Sequence, residues 1–249
     1  MATTTKPEAT VDIRQKLGVA PPDVANYVNL LIYGESGVGK THFCGTAADH
    51  ELTAPLLLVD CEGGTATLRK RKNIDVRRAK TLADVQEIHN ELFQYNQGWY
   101  KTVALDSLTE IQDVDMRYIM KQTLQNAKNP DNVDVDVPSP REYGKSRVHV
   151  RTIVRAFRDL PLNTIVTCLD QEIREEGRPT RIRPNLTGKL QGEIPGFMDI
   201  CGYYYKESPD ERRLQLVGTK KVIAKTRFPE LGDVMVNPTI PEIWEKIRA

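Results

Sequence analysis

An apolar stretch, "NLLIYG" (29–34), runs without a break into "GESGVGKT" (34–41), and this junction constrains the fold more tightly than anything else in the chain. Gly34, Gly39, Lys40 and Thr41 match G-x-x-x-x-G-K-[ST] at every fixed position. That spacing is a phosphate loop when a strand delivers it and a helix leaves it. Glycines at 34, 37 and 39 let the backbone curl until its N–H groups face a β-phosphate. Lys40 then reaches the β/γ oxygens, and Thr41 offers its hydroxyl to Mg2+. Gly34, Glu35, Ser36, Gly37, Val38, Gly39, Lys40 and Thr41 therefore make up the expected nucleotide-binding loop.

The rest of the chain alternates strand and helix patterns around that unit. "LLLVD" (56–60), "IDVRR" (74–78), "TVALD" (102–106) and "NTIVTCLDQ" (163–171) read as strands. A helix capped by Thr81 and Asp84 carries Leu82, Val85, Ile88 and Leu92 on one face; a second carries Leu108, Ile111, Val114, Tyr118 and Ile119 on a stripe; a third spans about 143–160. The expected fold is α/β, a mostly parallel central sheet flanked by helices, with antiparallel strands near "SPDE" (208–211) and a short closing helix, "PEIWEKI". Residues 28–249 read as a single core domain, and the polar residues 1–27, with Pro21-Pro22, as a flexible tail or a docking arm. The Pro- and Asp-rich residues 127–142 read as a loop.

With 35 basic and 34 acidic residues the formal charge is +1, so affinity for a polyanion must come from local clusters. Cys44, Cys61, Cys168 and Cys201 show no CxxC spacing and suit a reduced, cytoplasmic protein. The four histidines are dispersed, which argues against a metal held by protein side chains alone. No apolar run approaches the roughly 20 residues of a membrane helix.

Two strands end in carboxylates, Asp60 in "LLLVDCEGG" and Asp106 in "TVALDSLTE". "DCEG" fits the D-x-x-G of a GTPase switch, but "TCLDQ" (167–171) stands where a guanine-reading N-K-x-D would be and lacks both Asn and Lys. Two readings remain on the residues alone. Asp60 holds the metal and Asp106 is structural, or Asp106 holds the metal and Glu62 polarises the attacking water, the division of labour that phosphoryl transfer to water needs.

The order P-loop, "LVDCEGG", "VALDSLTE", "IVTCLDQE" resembles the RecA-like core ATPases, and specifically a phage-encoded family of compact RecA-like nucleotide-binding proteins that includes Sak-type single-strand DNA recombinases. The resemblance covers about residues 28–230. It implies a RecA-like P-loop NTPase fold, with Glu62 as catalytic glutamate, Asp106 as the Mg2+ carboxylate beside Thr41, and Gln171 as the γ-phosphate sensor linked to a DNA-contacting loop. It also implies that Lys225 and Arg227 of "AKTRFP" (224–229), which alternation puts on one face of a strand, reach a neighbouring subunit's site.

Directly after Gln171, residues 172–192 carry Arg174, Arg178, Arg181, Arg183 and Lys189 among glycines and prolines, which reads as an irregular basic loop able to track phosphates. Two further basic clusters, 69–80 and the line Arg147, Arg151, Arg155, read as solvated faces unless they share a groove with 172–192. The resemblance therefore implies an ATP- and Mg2+-dependent hydrolase acting on single-stranded DNA in annealing or strand exchange. Its partners would be copies of itself, with active sites at subunit interfaces, and a single-strand-binding protein, in the host cytoplasm. The alternatives are a nucleotide-dependent interaction switch and a helicase- or loader-like motor. A small-molecule phosphotransferase is disfavoured, because no arginine-rich lid is evident.

Overall fold

Strands buried along nearly their whole length need cover on both faces, and β1 (Asn29–Gly34), β2 (Leu56–Asp60) and β4 (Thr102–Asp106) find it inside one sheet. The computed structural model describes residues 27–174 and 180–249. The other elements are α1 (Lys40–Gly45), β3 (Ile74–Arg78), α2 (Leu82–Tyr95), α3 (Leu108–Gln125), α4 (Pro140–Arg158), β5 (Asn163–Ile173), β6 (Arg181–Pro184), α5 (Leu190–Phe197), β7 (Ile200–Ser208), β8 (Glu211–Gln215), β9 (Lys225–Thr226), β10 (Val234–Val236) and α6 (Ile240–Arg248). Strand order is β3-β2-β4-β5-β1-β7-β8-β10, with β6 on the far end of β5 and β9 on β7. Pairings from β3 through β7 are parallel, and those of β8, β10, β6 and β9 are antiparallel.

Alternate side chains of each strand divide between two cores. Leu31, Tyr33, Val59, Leu105 and Val166 pack with α2, α3, α4 and α5, where Ile88, Leu108, Val154, Phe157 and Ile194 are buried. Leu30, Ile32, Leu58, Ala104 and Ile165 face the other way, onto Phe43 and Cys44 of α1 and onto Ile243, Trp244 and Ile247 of α6. The four cysteines are free, and no helix among the described residues is long and apolar enough to cross a membrane.

Several expectations need correction. Tyr118 is exposed, whereas Gln112 and Asp115 are buried. Gln112 hydrogen-bonds Thr187, and Asp115 Oδ1 meets His149 of α4 at 2.9 Å, while its Oδ2 is buried without a partner. Among its described residues, the stretch 172–192 holds regular elements. Strand β5 continues to Ile173, β6 returns antiparallel with Gln171 opposite Arg183, and α5 begins at Leu190 and carries Pro195 inside it. Helix α4 starts within the expected loop, at Pro140, because Ser139 and Glu142 form a capping box ahead of it and proline is suited to the first helical position. The tail expected over 1–27 lies, but for Tyr27, outside the described residues.

Candidate active site

The parallel strands β1, β2 and β4 all end at one edge of the sheet, and there they deliver Gly34, Asp60 and Asp106. Asp60 and Asp106 are register partners on adjacent strands. Strand β5 lies between β4 and β1 and contributes Thr167 and Asp170 to the same edge.

The loop after β1 curls at Gly37 (φ 74°) and Gly39 (φ 105°), backbone conformations open to glycine. Gly34 is required for a different reason, since a Cβ there would overlap the Tyr204 carbonyl oxygen of β7. Lys40 folds back over the loop, donating from Nζ to the carbonyl oxygens of Gly34 (2.8 Å) and Glu35 (2.9 Å). It is only 8% exposed. Burial pulls its pKa below the ordinary lysine value, and the Glu62 and Asp106 carboxylates push back. A buried ammonium held by two carbonyls is ready to exchange them for an anion.

The two carboxylates do different things. Asp106 Oδ2 accepts from Thr41 Oγ1 at 2.6 Å, and its Oδ1 accepts from Thr167. Asp60, 2% exposed, accepts at Oδ1 from the backbone N–H of Glu62 (3.1 Å) and Gly63 (2.6 Å), while Oδ2 lies 3.7 Å from Arg78. Asp60 therefore pins the turn that carries Glu62, and Asp106 is the carboxylate joined to the P-loop threonine. Glu62 is exposed, and its Oε1 accepts from Ser107, the residue after Asp106. Lys40, Thr41, Asp106, Ser107 and Glu62 are thus brought together on one side of the loop. A hydroxyl and a carboxylate side by side are a hard-oxygen donor set, of the kind that holds Mg2+ when substrate phosphates complete its shell.

Gln171 is placed elsewhere. It lies on the part of β5 beyond the sheet edge, exposed, on the wall of a groove of about 600 Å³ with Tyr143 and Arg147 of α4 and Asn185, Lys189 and Gln191. Its neighbour Asp170 is half-buried; burial, and then Glu35, raise its pKa, and Lys40 lowers it. Arg174 is exposed and paired with Glu172, Arg181 and Arg183 lie on β6, and Lys189 precedes α5. Arg178 lies outside the described residues. Arg147 and Arg151 both pair with Glu193 of α5, and Arg155 stacks on Phe197.

Lys225 and Arg227 stand at the opposite end of the sheet. Arg227 pairs with Asp199 at 2.8 Å, and Asp199 in turn accepts from the backbone N–H of Asn29, where β1 begins. Five residue steps of β1, about 17 Å at 3.3 Å each, separate that point from Gly34. Lys225 donates to the Gly196 carbonyl at 3.4 Å, and burial followed by the Arg227 charge lowers its pKa. Neither side chain reaches the P-loop of its own chain.

Sequence reasoning missed Thr167, Asp170, Arg78 and Arg212. Arg212, on β8, donates from Nε to the Val38 carbonyl of the loop at 2.9 Å. Thr167 had a faint signal, a hydroxyl within the buried half of β5; Arg78 lay inside the basic cluster 69–80, but its place opposite Asp60 depends on strand order, and Arg212, arriving on β8, had no signal.

The AAA-domain family profile matches residues 26–228 of the chain. Among solved structures the chain is similar to the RadB recombinase, at 14% identity over 92% of this chain and 93% of that one, with a TM-score of 0.48. No curated protein matches.

Proposed function

The chain belongs to the AAA-domain family, and from that premise we propose that it is a Mg2+-dependent ATPase that assembles with copies of itself on single-stranded DNA and serves recombination by annealing or strand exchange. The observation that carries this reading is the hydrogen bond from Thr41 to Asp106, with Glu62 held one residue away at Ser107 and Lys40 beside them. Lys40 would neutralise the β/γ oxygens, and Thr41 and Asp106 would hold Mg2+, which would offset charge on those oxygens. Glu62, on the turn that Asp60 pins, orients the attacking water and takes its proton as the P–O bond to water forms and the bond to ADP breaks. Lys225 and Arg227 serve the site of an adjoining copy, where cations stabilise charge developing on the γ-phosphate. The groove with Gln171, Arg147, Lys189 and Tyr143 supports a place for the strand, with cations for its phosphates and one aromatic ring for a base.

The test is steady-state ATP hydrolysis with and without single-stranded DNA, at low and moderate salt, for the wild type, Glu62→Gln and Arg227→Ala. Stimulation by DNA that fades with salt, and is lost in both variants, is the expected result. Tight ATP binding with slow turnover indifferent to DNA would sink the recombinase reading and leave an interaction switch as the better account. Unwinding of a tailed duplex would turn the account toward a motor.

A further inference from the structure

The carbonyls of a phosphate loop have to turn away from the phosphates if its N–H groups are to face them. Lys40 holds two of those carbonyls, of Gly34 and Glu35. It gives them up when its ammonium turns to an anion. The Val38 carbonyl is held from outside the loop instead, by Arg212 Nε at 2.9 Å, a bond that spans 174 residues of chain. The Arg212 side chain lies along the loop, since a Cβ on Gly39 would be 3.2 Å from its Nε and 3.8 Å from its Cδ. Arg212 is itself fixed through its backbone. It sits on β8, opposite Lys206 of β7, and trades two hydrogen bonds with Asn237, just past β10. Its N–H donates to Asn237 Oδ1 (2.8 Å), and its carbonyl accepts from the Asn237 N–H (2.7 Å). Asn237 has φ 46°, a left-handed conformation that asparagine adopts more readily than most residues. Three residues on, the Ile240 N–H donates to Thr46 Oγ1 at 2.9 Å, and Ile243 and Trp244 pack with Phe43 and Cys44 of α1. The segment after β10 thus braces the loop, through Arg212, and also the helix that leaves it.

We propose that Arg212 is a positioning residue for phosphate binding. Braced by Asn237, it keeps the Val38 carbonyl turned away, and so the loop N–H groups aimed at the phosphates, after Lys40 has released Gly34 and Glu35. The proposal rests on the nucleotide reading of the P-loop given above. What the clamp needs is a donor at the Nε position, not the guanidinium charge. Glutamine carries its amide nitrogen the same number of bonds from Cα as Nε, whereas methionine, of similar length, has no donor there. The two substitutions therefore separate the bond from the charge.

Calorimetric titration of the full chain with ATP and with inorganic triphosphate, both in the presence of Mg2+, reads the clamp. Arg212→Met is expected to weaken both ligands alike, roughly tenfold, and Arg212→Gln to stay within about threefold of wild type. Asn237→Gly keeps the backbone conformation accessible and drops the Oδ1 bond, so it is expected to lose affinity in the same direction. The double variant should bind no more weakly than Arg212→Met alone, because the brace acts through the arginine. Lys40→Ala weakens both ligands and serves as the control. If Arg212→Gln falls as far as Arg212→Met, charge matters rather than the bond, and the proposal is wrong. A loss for ATP without a loss for triphosphate also overturns it, since the arginine would then act on the nucleoside and not on the loop. Additive losses in the double variant overturn the brace. Arg212→Met binding like wild type while Lys40→Ala does not sinks the clamp and leaves the P-loop reading standing. A wild type that binds neither ligand overturns both.

Discussion

Asp106 has both carboxylate oxygens engaged by threonine hydroxyls, Thr41 in front and Thr167 behind, and it is almost fully buried. Removing the Thr167 hydroxyl leaves a buried carboxylate oxygen without a donor. Thr167→Val, nearly the same shape, is expected to cost about 1–3 kcal/mol in urea unfolding, the desolvation penalty of an unpaired buried acceptor. Thr152→Val, at an exposed site on α4 where the hydroxyl bonds only the Val148 carbonyl, is the control and should change little. At this scale the sequence was partly legible. A carboxylate at the end of an apolar strand is visible in the one-dimensional pattern, and so is a glycine-rich loop ending in Lys-Thr. Which of Asp60 and Asp106 meets Thr41 is a matter of strand order and of how the 60–63 turn folds back on Asp60, and neither leaves a local trace. Gly34 makes the same point, since the glycine looked like part of the curl but is demanded by the close approach of β7. Gly34→Ala is therefore expected to destabilise by the upper part of the roughly 1–3 kcal/mol typical of overpacked sites, measured by thermal unfolding.

Among the elements, α2 and α4 both begin with reciprocal capping boxes, Thr81 with Asp84 and Ser139 with Glu142. The Lys80 backbone N–H, and then that of Thr81 and its hydroxyl, hold the Asp84 carboxyl below the ordinary aspartate range. A carboxyl whose pKa is lower folded than unfolded stabilises fully above the unfolded value and loses that contribution as pH falls through the folded one. Asp84→Asn should accordingly lower Tm near neutral pH, and the gap from wild type should close as pH falls through the folded-state value, which lies below the ordinary aspartate range. The Thr81–Asp84 box was readable because a periodic apolar face follows it. The Ser139–Glu142 box was hidden by Pro138 and Pro140, which read as loop although proline is at home in a first helical turn. Helix α5 escaped for a different reason. It is eight residues long with an internal proline, too short and too poor in propensity to be seen locally, and burial of Leu190 and Ile194 against the core compensates. Gly144, in the second turn of α4 and with open space where a Cβ would sit, offers the opposite case: Gly144→Ala should stabilise by about 0.5–1 kcal/mol in thermal unfolding.

Across the whole molecule, the placement of Lys225 and Arg227 at the far end of β1 from the P-loop has a kinetic signature, if they act as proposed. Specific activity should rise with protein concentration as copies associate, and Arg227→Ala should remove that rise while leaving ATP affinity intact. The parallel core and its two covered faces followed from strand–helix alternation alone, whereas which end of the sheet each cation occupies depends on β9 pairing with the first residues of β7, a contact between strands of two and nine residues. On the proposed reading the catalytic centre is a property of a pair of chains. One chain's Lys40 belongs with another's Arg227, joined head to tail rather than face to face. Lys40→Ala and Arg227→Ala chains, each inactive by itself, should then recover hydrolysis when mixed, because every junction where an intact loop meets an intact arginine is a whole site again.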